Sequence, residues 1–174
     1  KLHLRRPDHT PQSGHHGTLL EPGRSVSPFF ESESITVIVD QIREKLVYLG
    51  DGIIDASVLL NHQVDVDVLS QAARHCVEQF QGQRIDKILT LEVSGIVPAL
   101  LAARELGVPM VYARKGRRVT QKECFEAPVK SRTTDVDTII TVDTRMLRAG
   151  EQVLIVDDFL ARGEAVAGIA SIVE

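Results

Sequence analysis

Only two cysteines, Cys76 and Cys124, occur among the 174 residues. Two thiols build no framework of bridges, which excludes a disulfide-stapled secreted module and points to a reducing compartment. No run of about 18 or more apolar residues is present, so no segment reads as a membrane span. A compact apolar signal core is also missing near Lys1, and export is not indicated. Lys1 is not Met, so it is not expected to be the true start of the gene product. Nor is there an excess of base. The net charge of -4 and pI near 5.9 argue against a general nucleic-acid or membrane surface and for a small-molecule site. No Ser-His-Asp or Cys-His arrangement suggests a covalent nucleophile. The expectation is a cytoplasmic protein with one domain, since 43% hydrophobic residues in a chain of this length suffice for one core.

Residues 1–34 hold four of the seven prolines and four of the six histidines, with no sustained period. They read as a disordered extension. His3, His9, His15 and His16 match no closed metal site. The domain is expected over residues 35–174. Asp40 is a candidate N-cap for a helix carrying Ile42, Leu46 and Leu49 on one face and ending at Gly50. A second helix is expected from about Asp67 to Phe80, with Cys76 in its apolar stripe and therefore core, and His75 at the surface. Strand-like runs follow at Ile85 to Leu91, Val108 to Ala113, Phe125 to Ser131, Thr138 to Val142 and Val153 to Val156, with a helix from Pro98 to Leu106. The alternation predicts an α/β fold, a parallel sheet covered by helices on both faces.

The chemistry concentrates after the apolar run Val153 to Val156, expected to be a strand buried on both faces. Asp157 and Asp158 fall at its carboxyl end, where open α/β sheets hold ligands. Ala161, Arg162, Gly163, Glu164 and Ala165 then turn into a helix whose unpaired N–H groups suit a phosphate. The pattern suits a phosphorylated ribose. A second strand-to-helix loop, Glu92 to Ile96, offers Val93, the Ser94 hydroxyl and Gly95, although it also reads as an ordinary βα turn. Arg114 to Arg118 put four cations in five residues at the end of another strand. Alone this run reads as a solvated loop; beside two anion loops it reads as a mobile cationic cover for a polyphosphate. Asn61 interrupts apolar segments, and its amide can either read a purine edge or cap a turn.

Taken in order, LLNHQVD, LEVSGIVPALL, GVPMVYARK and VLIVDDFLARGEA followed by SIV resemble the xanthine phosphoribosyltransferases of bacterial purine salvage, a branch of the type I phosphoribosyltransferases. The resemblance runs from Gln41 to the last residue. It implies the type I phosphoribosyltransferase fold, a mainly parallel sheet flanked by helices, and transfer of 5-phosphoribosyl from phosphoribosyl diphosphate to a purine nitrogen, with xanthine preferred. It implies Mg²⁺ held mainly by the diphosphate, with no direct protein ligand, and a homodimer that binds neither nucleic acid nor membrane. By the same resemblance Asp157 and Asp158 meet the ribose hydroxyls and, with Lys115, are the catalytic set. Ala161 to Ala165 cradle the 5-phosphate, Val93, Ser94 and Gly95 with Arg114 match the diphosphate sites, and Ile54 and Asn61 touch the base.

Two departures from that family stand out. Arg162 and Glu164 occupy positions where its members usually carry Asn and Gln. The sequence also stops at Glu174, inside the helix after the motif, whereas the family continues through further strands that include a lysine contacting the base; the expectation is a domain lacking its C-terminal part. Hypoxanthine, guanine or adenine is the nearer rival to xanthine. A phosphoribosyltransferase-fold regulator that binds nucleic acid is the rival from another class.

Overall fold

The computed structural model describes residues 34–130 and 137–174. The expectations for the extension, including its histidines, lie outside these residues except at Ser34. Helix α1, Ile35–Glu44, starts five residues before Asp40. Ser34, in an extended conformation, offers its carbonyl to the N–H groups of Val37 and Ile38, while Asp40 pairs with Arg43 on the exposed side. The expected continuation of this helix to Gly50 is not formed. Val47–Gly50 (β1) and Ile53–Asp55 (β2) make an antiparallel hairpin instead, with Val47 opposite Asp55 and Tyr48 opposite Ile54. The physical reason is in the chain: Val47 and Tyr48 favour an extended backbone, and Asp51-Gly52 supplies two residues at positive φ for the turn.

A π-helical turn, Ser57–Asn61, leads into α2, Val66–Glu78. Asp65 caps α2 by accepting the Val68 N–H at 3.2 Å. Val68, Leu69, Ala73 and Val77 form the buried stripe of α2. Cys76 is exposed, contrary to the expected core position, because the buried stripe turns away from it.

Strand β3, Lys87–Leu91, is buried along its length, as a strand flanked on both sides in the sheet requires. Helix α3, Ile96–Leu106, begins at Gly95 and is closed by left-handed Gly107, so Pro98 lies in its first turn without opening it. Strand β4, Met110–Lys115, runs parallel to β3, as does β7, Val153–Ile155, on the other side. Strands β5, Cys124–Lys130, and β6, Asp137–Asp143, complete the order β5-β6-β4-β3-β7. The expected mainly parallel sheet keeps β3, β4 and β7 parallel, but β6 is antiparallel to both β4 and β5. The stretch from β4 to β6 contains no crossover helix among the described residues, and a parallel neighbour needs one. The sheet is mixed.

Helix α4, Glu164–Val173, covers one face, where Leu89, Leu91, Ala113, Ile140, Val142 and Ile169 pack together. Helices α2 and α3 cover the other, where Ala73, Val77, Ala99, Ala102 and Ala103 pack with Ile88 of β3. Alternate residues of β3 thus serve opposite layers, and truncating Leu89 to alanine is expected to cost about 3 kcal/mol. Strand β7 is half-buried rather than enclosed on both faces, since among the described strands it has β3 on one side alone.

Candidate active site

The parallel strands β3, β4 and β7 end at one edge of the sheet, and their following residues meet there. Val156 continues the β7 pairing through its N–H to the Leu89 carbonyl at 3.0 Å, which fixes the point where Asp157 and Asp158 leave the sheet. Both aspartates are half-buried, and the Asp158 N–H donates to Asp157 Oδ1 at 3.0 Å. Burial pushes the Asp157 carboxyl up to about 6, and the adjacent Asp158 carboxyl acts in the same direction. The Asp158 N–H bond and the Lys115 charge oppose that shift, so Lys115 stands within electrostatic reach of the pair.

Beyond them Ala161 and Gly163 both take positive φ, and Gly163 leads directly into α4. The Gly163 N–H bonds to the Leu160 carbonyl at 2.6 Å, closing the turn. The first helical bond is the Ala167 N–H to Gly163. The N–H groups of Glu164, Ala165 and Val166 therefore precede the intrahelical ladder and face outward at the positive end of the helix. Ala161 and Arg162 are exposed, while Gly163, Glu164 and Ala165 are half-buried. This is the geometry of an anion cradle.

The second loop follows β3. The Glu92–Val93 peptide is cis, Val93 is 74% exposed, Ser94 is half-buried, and Gly95 is buried against Asp157. A side chain at Gly95 would run into the Thr90 hydroxyl and come within 2.5 Å of Asp157 Oδ1 and 3.1 Å of the Leu91 carbonyl. Thr90 is itself fully buried, with no partner for its hydroxyl. The loop backbone can approach the carboxylates this closely only because position 95 has no β carbon.

Of the four cations, Arg114 and Lys115 are strand residues rather than loop residues. Arg114 lies over the Tyr112 ring at 5.1 Å and donates to its hydroxyl at 2.9 Å. Arg117 turns away and donates to the main-chain carbonyls of Gln121 and Lys122. Glu92, which the sequence reading left without a role, sits among the cations: its carboxylate accepts the Lys115 N–H at 2.7 Å. The missed signal was a carboxylate at the head of the Glu92 to Ile96 loop.

An apolar cavity of about 390 Å³ adjoins the aspartates. Leu59 and Leu60 of the π-helical turn, Ala102 and Pro98 of α3, and Asp157 and Asp158 are among its walls. Asn61 is exposed at the end of that turn, and Ile54 is half exposed on β2; neither lines the cavity. The site therefore brings together the aspartates, both loops and the basic strand end, but not the two expected base contacts. Among the described residues no group of three or more His, Cys, Asp or Glu is arranged to hold a metal, and no helix is long and apolar enough to cross a membrane.

A family model described as phosphoribosyl transferase domain matches residues 55–174. The chain is 40% identical over 140 residues to a xanthine phosphoribosyltransferase of Oenococcus oeni, an alignment covering 80% of this chain and 68% of that relative. It is 41% identical over 135 residues to a xanthine phosphoribosyltransferase of Stutzerimonas stutzeri, covering 77% and 71%. Among solved structures it is similar to adenine phosphoribosyltransferase from Saccharomyces cerevisiae, with a TM-score of 0.67, 26% identity, and coverage of 80% of this chain and 81% of that one. The adenine phosphoribosyltransferase from Thermoanaerobacter pseudethanolicus shares the fold at a TM-score of 0.66, with 22% identity and coverage of 78% of each chain.

Proposed function

The chain belongs to the phosphoribosyl transferase domain family, with the type I phosphoribosyltransferase fold, and from that premise we propose that it converts xanthine and phosphoribosyl diphosphate to xanthosine monophosphate and diphosphate. The observation that carries this reading is the meeting of two anion loops, a carboxylate pair and a basic strand end at one sheet edge. The preference for xanthine rests on the relatives named for that activity.

In this reading the cradle from Ala161 to Ala165 holds the 5-phosphate through main-chain N–H groups, with Arg162 adding a charge. Val93, Ser94 and Gly95 with Arg114 and Lys115 receive the diphosphate. As the bond from C1 to diphosphate breaks, positive charge grows on the ribose, and the carboxylates of Asp157 and Asp158 stabilise it from fixed positions. Lys115 offsets the charge gathering on the leaving diphosphate. No side chain needs to attack, so no covalent intermediate is invoked. Ile54 and Asn61, which lie outside the cavity walls, are assigned to the base on the family resemblance alone.

Magnesium fits this donor set. A hard cation held mainly by the oxygens of the diphosphate, with the half-buried Asp157 and Asp158 carboxylates at the same sheet edge, needs no cage of protein ligands. When bound with the donor it would neutralise phosphate charge. Assembly as a homodimer and a place in cytoplasmic purine salvage complete the reading.

The test is to incubate the protein with Mg²⁺, phosphoribosyl diphosphate and each of xanthine, hypoxanthine, guanine and adenine, and to identify the nucleotide formed. Xanthosine monophosphate as the main product is expected. A different nucleotide would reassign the base, and none with any base would overturn the assignment as an enzyme.

A further inference from the structure

We propose that Glu92 is a positioning residue that sets how strongly the basic end of β4 takes up diphosphate, an inference that rests on the phosphoribosyl-transfer reading above. The Glu92 side chain is 13% exposed, and one main-chain donor and two guanidiniums converge on it. Oε1 accepts the Lys115 N–H at 2.7 Å, Oε2 lies 3.8 Å from Arg114 Nη1, and Oε1 lies 3.8 Å from Arg118 Nη2. The Glu92 N–H in turn reaches the Ala113 carbonyl at 3.0 Å.

These contacts differ in kind. The bond to Lys115 is short, joins main chain to a half-buried carboxylate, and fixes where that residue leaves the sheet. The two guanidiniums stand beyond hydrogen-bond distance, so their attraction is ionic and easily exchanged. Arg114 keeps a second hold on Tyr112. The Arg118 side chain, 53% exposed, is freer to turn. A diphosphate arriving at the strand end meets cations already facing a carboxylate, and it must draw them away.

Glu92 therefore acts in two separable ways. As an acceptor it orients Lys115. As a charge it competes with diphosphate for Arg114 and Arg118, which weakens retention of the released product and keeps the basic strand end from being saturated by it.

Glu92→Gln keeps an acceptor oxygen and removes the charge, whereas Glu92→Ala removes both. Calorimetric titration of inorganic diphosphate with Mg²⁺ is expected to show binding to Glu92→Gln about fivefold tighter than to the wild type, with a steeper dependence on salt. Steady-state rates should show stronger product inhibition in Glu92→Gln, while Glu92→Ala loses kcat through a misplaced Lys115. Arg118→Gln should abolish most of the gain from Glu92→Gln, so the pair tests the idea even where Glu92→Ala folds poorly. Unchanged or weaker diphosphate binding by a folded Glu92→Gln would overturn the proposal, as would a gain that survives Arg118→Gln or a wild type that binds no diphosphate. A wild type that binds diphosphate but forms no nucleotide overturns the transfer reading alone, and the titrations still decide the role of Glu92.

Discussion

Gly95 and Asp157 come so close that an added β carbon at position 95 would stand 2.5 Å from the Asp157 carboxylate. Gly95→Ala must therefore displace Asp157, Thr90 or the loop itself. The anion loop and the carboxylate are set by each other, and a misplacement of about 1 Å at such a site costs on the order of 100-fold in rate. We expect kcat/KM to fall by about that factor, with a lower thermal midpoint. Near wild-type rates for Gly95→Ala would show that the loop and Asp157 are not coupled.

Asp157 also gives the fold a distinctive pH response. Its carboxyl is held near 6 in the folded chain against an ordinary 3.8. Below about 4 both folded and unfolded chains keep the proton, and the stabilising preference is fully present. Between about 4 and 6 the unfolded chain ionises first, so stability falls as pH rises and levels off above 6. Asp143, held near 2 by the Arg145 guanidinium, acts in the opposite direction and below that window. Urea midpoints measured from pH 4 to 7 should slope downward in the wild type and lose most of that slope in Asp157→Asn. Parallel curves would remove Asp157 as the cause.

Glu164 opens α4 beside the loop proposed to hold the 5-phosphate. A carboxylate in a first helical turn favours the empty helix by about 0.5 kcal/mol but repels an incoming phosphate. Glu164→Gln is expected to bind phosphoribosyl diphosphate about threefold more tightly and to be slightly less stable. Calorimetry checks the first and thermal unfolding the second; unchanged or weaker donor binding refutes the repulsion.

Far from this chemistry, Lys87 is buried in the first position of β3, bonding Glu151 at 2.8 Å and the Met146 carbonyl at 2.5 Å. Lys87→Met leaves the Glu151 carboxylate with the Arg148 N–H alone and should lower stability, while Lys87→Met with Glu151→Leu should recover most of the loss. Denaturant unfolding of the two variants measures this, and equal losses in both would show that the stranded carboxylate is not the cause.

The elements that carry their own punctuation were legible in the sequence. Asp157 and Asp158 follow an apolar strand and precede Gly163 and a helix, so their location at a sheet edge could be read from 13 residues. Glu92 could not, because its role depends on lying opposite Lys115, a neighbour 23 residues away that only strand pairing creates. The direction of β6 was not legible for a similar reason: the strand-like run Thr138 to Val142 has the same pattern whichever way its partner runs. The β1–β2 hairpin had a local signal in Asp51-Gly52, but a helical spacing of Ile42, Leu46 and Leu49 overlapped it.

Strand β4 changes partner within a single peptide unit. Residues Met110 to Ala113 pair with β3, whereas Arg114 and Lys115 pair with β6. The carboxylates and the cations are thus mounted on different frames, the first on the parallel core and the second on an antiparallel ribbon. Ile140 and Val142 of that ribbon pack in one core with Leu89 of β3, so the two frames are clamped together and the spacing between cations and aspartates is set by the packing of a single layer.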